Sequence, residues 1–209
     1  MRNYKNVLLD PADCVLLVID HQPQMYFGAE GKLRAQIMNA VKGLTKAAAI
    51  FQIPVVMTTV TANTFAGVMY DGVTNVFPGH QPIDRTSLNA WEDPRVRKAV
   101  ADTKRKKIIL AGMWTEVCVA FPALSAMEDG YDVYFVADAC AGSSKEAHDT
   151  AVLRMVQKGA SPLTWQAALL EFQRDWGDKI TYAPVTALIK ECGGVYGQGL
   201  AYAENFCGK

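Results

Sequence analysis

The most constraining feature of the chain is the segment Cys14–Asp20, CVLLVID, an almost unbroken run of branched apolar residues too short to be a helix. A strand with one wet face alternates apolar and polar residues; a continuous run marks a strand covered on both faces, as in a parallel sheet. Further runs follow at Val55–Val60, Ile108–Leu110 and Val133–Ala137, with a short candidate at Pro162–Trp165. Between them, apolar residues recur at helical spacing over Leu33–Phe51, Pro94–Thr103, Val117–Glu128, Glu146–Lys158 and Gln166–Asp175. Strand and helix alternating in this way predict an α/β fold with right-handed crossovers.

Two segments break the rhythm. Thr61–Glu92 is a long link with three glycines and two prolines, and a short strand is expected near Ile83–Arg85. Links of that length inside a compact domain usually carry function or a small hidden element. From Glu191 the chain is glycine-rich and aperiodic, which predicts a subunit-crossing arm or a frayed end. Its G-G-x-x-G-x-G neither follows a strand nor opens a helix, so it is no dinucleotide fingerprint. With 209 residues, no internal repeat and no visible boundary, one domain is expected, with a core of about 10–179 and a tail of 191–209.

Composition narrows the partners. Lys+Arg and Asp+Glu stand at 21 each, which gives no basic footprint for nucleic acid or for an anionic membrane. The run Lys104–Lys107 follows a predicted helix, where cations complement the helix dipole, and is not read as a nucleic-acid footprint. No apolar stretch approaches the roughly 18 residues of a membrane span, and no secretory apolar core is visible. Five cysteines, with no C-x-x-C and no zinc spacing, fit reduced thiols in the cytoplasm.

In an open parallel sheet ligands bind beyond the carboxyl ends of the strands, where the strand order reverses. That rule selects Asp20, which ends the first run, and the residues after Gly112, among them Trp114, Glu116 and Cys118. Cys118 falls at the start of a helix, where free N–H groups and the dipole favour a thiolate and can hold an oxyanion. If the first strand lies beside the one ending at Gly112, Asp20 faces Cys118 and can take its proton. Taken singly, Asp20 fits a turn cap and Cys118 an inert core thiol equally well.

The residues LLVIDHQ, RTSLNAWEDP, AGMWTEVCVAFPALSAMEDGYDVYFVADACAGSS and HDTAVLRMVQKGASPLTW together resemble the isochorismatase-like hydrolases, and within them the YcaC-like cysteine hydrolases. The resemblance runs from about Asp10 to Trp176. It implies a three-layer α/β/α sandwich on a six-stranded parallel sheet and a triad of aspartate, basic residue and cysteine. Residue by residue, these are Asp20 as acid/base, Arg85 and Cys118 as nucleophile. The family's usual basic residue is lysine; an arginine keeps its charge at any working pH and cannot shuttle a proton. The resemblance also implies a cis peptide at Met113–Trp114, which aims the Trp114 N–H, with that of Cys118, into an oxyanion hole. Trp114, Gln22 and Glu116 are then expected to line the substrate pocket.

The activity implied is hydrolysis of a small-molecule amide or related carbonyl compound, without cofactor or metal, in a homo-oligomer such as an octamer. A vestigial pocket on a scaffold and a thiol redox protein using Cys140 stand as the alternatives. Of the histidines, His21 is expected to be structural and His148 solvated. His80 and Asp71 lack the D-x-H pattern of a metal loop. Phe27, Phe65, Tyr70 and Phe77 can border the site or anchor loops, and Asn89 and Trp91 can position Arg85 or fix a helix entry.

Overall fold

The computed structural model describes residues 8–207. Six parallel strands form one sheet: β1 (Cys14–Ile19), β2 (Val55–Val60), β3 (Ile83–Arg85), β4 (Lys107–Gly112), β5 (Asp132–Val136) and β6 (Ser161–Leu163). Their order is β3-β2-β1-β4-β5-β6, so the winding reverses between β1 and β4, with Ile19 paired to Gly112 at the carboxyl end. All six residues of β1 are buried, as its uninterrupted apolar run requires.

Alternation along the strands feeds two cores. Cys14, Leu16 and Val18 face α2 (Arg34–Ile50), α7 (Trp165–Gln173) and α8 (Tyr182–Cys192). Val15, Leu17 and Ile19 face α4 (Pro94–Asp102), α5 (Ala120–Glu128) and α6 (Lys145–Gln157). A smaller cluster sits at the carboxyl edge. There α1 (Pro23–Phe27) contributes Met25 and Tyr26 to a nest with Ile37, Val60 and Met113. A single helical turn, α3 (Asp71–Thr74), breaks the long link, and β3 occupies the predicted Ile83–Arg85.

Three expectations need correction. The segment from Glu191 is helical rather than aperiodic or frayed among the described residues: it ends α8 and then forms α9 (Gly194–Phe206). Val185, Leu188, Ile189 and Cys192 of α8 bury one helical face against the sheet-side core. Glycine in α9 acts in packing: a Cβ on Gly197 would stand 2.2 Å from the Ile189 carbonyl, so only glycine lets α9 approach α8.

The expected helix Val117–Glu128 opens instead with a five-residue π-helical turn, Thr115–Val119, before α5 begins. Lys107, the last residue of the basic run, starts β4, and burial forces its ammonium to a partner, which it finds in the Leu8 carbonyl at 2.8 Å. His148 is buried in α6 rather than solvated, and shares its inner stripe with Ala151 and Met155.

Among the described residues, no helix is long and apolar enough to cross a membrane. All five cysteines are free, and Cys207 is the exposed one.

Candidate active site

β1 and β4 end side by side, and each delivers one side chain to the gap between them. Gly112 makes the junction possible, because a Cβ there would stand 2.9 Å from Ile19 and 3.0 Å from Val119. Just beyond β1, Asp20 adopts φ 54°, a left-handed conformation unusual for a residue with a side chain. Its N–H donates to the Thr58 carbonyl at 2.9 Å and its own carbonyl accepts the Gln22 N–H at 2.8 Å. These bonds hold the strained turn at the strand end and turn the carboxylate into the gap.

Arg85 arrives from β3, two strands away. Its Nη2 lies 2.6 Å from Asp20 Oδ2, and both side chains are fully buried. Nη1 donates to the Ser87 carbonyl, while Arg85 Nε and Asp20 Oδ1 have no well-aligned partner. The Cys118 thiol, carried by the π-helical turn after β4, approaches the same carboxylate. A wider turn displaces its residues from regular helical positions, and such insertions recur at functional sites.

Burial dominates the electrostatics. Desolvation lifts the Asp20 carboxyl to about 6, held from going further by Arg85 and the Cys118 thiol. Desolvation, and then the Asp20 carboxylate, push the Cys118 thiol up to about 12, against the pull of Arg85 and the Trp114 N–H. Both effects oppose the thiolate that a helix start by itself favours. A helix start stabilises a thiolate only modestly at the surface, and here burial outweighs it.

The remaining expected site residues divide. The Met113–Trp114 peptide is cis. The half-buried Trp114 ring anchors on α1 through Nε1 to the Met25 carbonyl at 2.9 Å, and its backbone N–H is directed to the Cys118 sulfur. Gln22 is wholly buried and clamps the end of β2. It accepts the Val60 N–H at 2.9 Å and donates to the Val60 and Gly67 carbonyls at 3.1 and 2.5 Å. Glu116 turns to Ser143, accepting its N–H at 2.9 Å and its hydroxyl at 2.6 Å, and borders a groove between α5 and α6.

Asn89 caps the turn Ala90–Glu92 and bonds Ser125, so it fixes a helix entry. His21 is fully buried and bonds the Tyr26 hydroxyl at 2.7 Å; burial holds it neutral, at about 3. Cys140 accepts the Gly112 N–H at 3.4 Å within the core. Among the described residues no group of three or more His, Cys, Asp or Glu could hold a metal.

A second polar cluster escapes sequence reasoning. Lys32, in the loop before α2, donates to the Ala137 and Cys140 carbonyls at 2.6 and 3.0 Å and to His148 Nε2 at 2.9 Å. His148 Nδ1 lies 2.8 Å from the Thr115 hydroxyl. The spacing of His148, Ala151 and Met155 is the available signal for the histidine; nothing in the sequence marks Lys32.

A 3-2-1-4-5-6 parallel sheet with helices on both faces and its polar cluster at the reversal is the architecture of the isochorismatase-like α/β proteins. The chain belongs to that family of hydrolases, the Isochorismatase domain matching residues 14–167.

Among its relatives is the probable hydrolase YcaC of Escherichia coli, 36% identical over 175 residues that cover 83% of this chain and 84% of the relative. The crystal structure of the E. coli YcaC gene product, described as an octameric hydrolase of unknown specificity, superposes with a TM-score of 0.90 at 34% identity, covering 95% of this chain and 97% of the other. YcaC from Pseudomonas aeruginosa, in a structure with hexane-2,5-diol and covalent acrylamide, gives 0.91 at 31% identity, covering 98% and 100%.

Proposed function

We propose that this protein is a cysteine-dependent hydrolase of small-molecule amides or related carbonyl compounds, acting through a thioester acyl-enzyme. The observation that carries the reading is the convergence of a thiol on a buried carboxylate whose affinity for a proton has been lifted to about 6. A base works best when its pKa lies near the operating pH. An ordinary carboxyl near 4 would be a poor acceptor for a thiol proton; one near 6 is better matched.

Asp20 takes the Cys118 proton as the sulfur attacks the carbonyl carbon, so a C–S bond forms and the carbonyl π pair moves onto oxygen. The Trp114 and Cys118 N–H groups receive that oxyanion. Collapse breaks the C–N bond, and the amine leaves with the proton from Asp20. Water then gives a proton to Asp20 and attacks the thioester, and the departing thiolate recovers that proton. Arg85 holds Oδ2 throughout, leaving Oδ1 for the proton. Gln22 supports the Asp20 turn through β2, and Trp114 walls the pocket.

Acrylamide is an electrophile that alkylates nucleophilic side chains, thiols above all, and its covalent capture by the P. aeruginosa relative favours a reactive group in this fold. The octameric E. coli relative favours a homo-oligomer here. The apolar side chains Val195, Tyr202 and Phe206, exposed on α9, suit such a contact. Five free thiols accord with a reducing compartment such as the cytoplasm.

The test is intact-mass detection of an acyl adduct when the protein is offered a panel of small amides and activated esters. An adduct lost in Cys118→Ser supports the mechanism. Turnover that persists in that variant overturns it.

A further inference from the structure

The polar cluster around Lys32 lies outside the triad, yet it meets the turn that carries Cys118. An ammonium has three N–H donors and no acceptor. Lys32 directs them to the Ala137 carbonyl, the Cys140 carbonyl and His148 Nε2. Because Lys32 can only donate, His148 Nε2 must accept, and the ring's proton must sit on Nδ1. That N–H then donates to Thr115 Oγ1 at 2.8 Å. Thr115 opens the π-helical turn, is fully buried, and donates its own N–H to the Ala141 carbonyl at 2.9 Å.

The carbonyls held by Lys32 belong to the same segment. Residues 137–143 run beside the nucleophile turn: Met113 bridges Ala141, Gly112 N–H reaches Cys140 Sγ, and Ser143 bonds Glu116. One cation therefore fixes both the segment against which the turn rests and, through His148, the turn's first side chain. We infer that Lys32 and His148 are positioning residues for Cys118, a relay that holds the thiol's turn in register by imposing the Nδ1–H tautomer on His148.

The charged groups facing the ring are consistent with this tautomer. Burial and the Lys32 cation hold His148 neutral, at about 4, against the opposing pull of Asp149 and Glu116; Lys145 adds to the first effect. Neutral histidine free in water prefers the other tautomer, with the proton on Nε2, so the predicted state is imposed by the site.

The consequence for turnover rests on Cys118 being the nucleophile; the tautomer does not. The experiment therefore reads both, by ¹⁵N–¹H long-range NMR of the histidines and by the iodoacetamide alkylation rate of Cys118, on the full-length protein and on Lys32→Met, Lys32→Arg, His148→Asn and Thr115→Val. Expected are an unprotonated Nε2 on His148 in the wild type and its protonation in Lys32→Met. Alkylation should fall on the order of 10-fold in Lys32→Met and Thr115→Val.

In Lys32→Arg the guanidinium still donates to Nε2, and in His148→Asn the side-chain amide still donates to Thr115, so both variants should stay within a few-fold of wild type. A wild-type His148 protonated on Nε2 overturns the relay. So does an alkylation rate unchanged in both Lys32→Met and Thr115→Val. Absence of amide turnover, with tautomer and alkylation as expected, would count against the proposed reaction alone.

Discussion

Two buried polar clusters lie at the carboxyl edge of the same sheet, and they are built on opposite plans. Around Lys32 every donor of the ammonium is used, and His148 is bonded at both ring nitrogens. Around Asp20 the hydrogen bonding is incomplete: Oδ1 and Arg85 Nε lack aligned partners, the backbone is left-handed, and a thiol approaches the carboxylate beside the Arg85 pair. Buried polar groups are normally satisfied, because each unsatisfied one costs on the order of 1–3 kcal/mol. The saturated cluster can only hold structure. The unsaturated one leaves an oxygen without a partner, as the proposed acid/base role requires, and its cost is carried by the packed strands around it.

Predictions that would break or sharpen this contrast run from large to small. Cys118→Ser should abolish hydrolysis while leaving the circular dichroism spectrum unchanged, since the two side chains are similar in size. Asp20→Asn should lower kcat/KM about 10²–10⁴-fold, the usual worth of a positioned acid/base. Arg85→Met leaves a buried carboxylate unpaired and should cost about 3–5 kcal/mol of stability in urea titration. It should also move the acid limb of activity to higher pH, because the guanidinium that lowers the Asp20 pKa is gone.

The pH dependence of stability separates the clusters by sign. His148, at about 4, and His21, at about 3, lie below the ordinary value of 6.5. Their contribution is complete above pH 6.5 and is lost as pH falls toward 4 and then 3. Asp20 works the other way: at about 6 against an ordinary 3.8, its contribution is complete below 3.8 and is lost as pH rises through 6. Thermal melts between about pH 7 and pH 4 should therefore fall less steeply in His148→Asn than in the wild type. In Asp20→Asn they should fall more steeply. Smallest of all, Glu116→Gln should change kcat/KM less than about threefold and stability by about 0.5 kcal/mol or less.

The contrast also explains which parts of the molecule can be read from the sequence. Strands β1, β4 and β5 announce themselves because burial on both faces favours continuous apolar runs, and that pattern is local. Asp20 and Cys118 follow from one further rule, that strand ends at the reversal of winding carry chemistry, and β1 does pair with β4. Arg85 does not follow from any local pattern. It reaches Asp20 across β2, a contact that exists only once the sheet is assembled, and only a family resemblance points to it.

The π-helical turn escapes a sequence reading because its apolar spacing is nearly that of an ordinary helix start. The upward push of burial on the thiol is hidden for a different reason. A sequence displays a helix start, whereas the degree of desolvation depends on everything packed around it. Likewise the glycines of α9 look like flexibility until Ile189 is placed against Gly197.

The most direct measurement is the pH dependence of Cys118 alkylation by iodoacetamide, read by peptide mass spectrometry in wild type and Asp20→Asn. If Asp20 is the base that serves this thiol, the wild-type rate rises through a limb near pH 6, where the carboxylate forms. In Asp20→Asn that limb disappears and reactivity shifts to well above about pH 8, the range of an unassisted thiol. A wild-type limb above about pH 8 that is indifferent to Asp20, or a Cys118 that does not react at all, would contradict the coupled thiol–carboxylate pair.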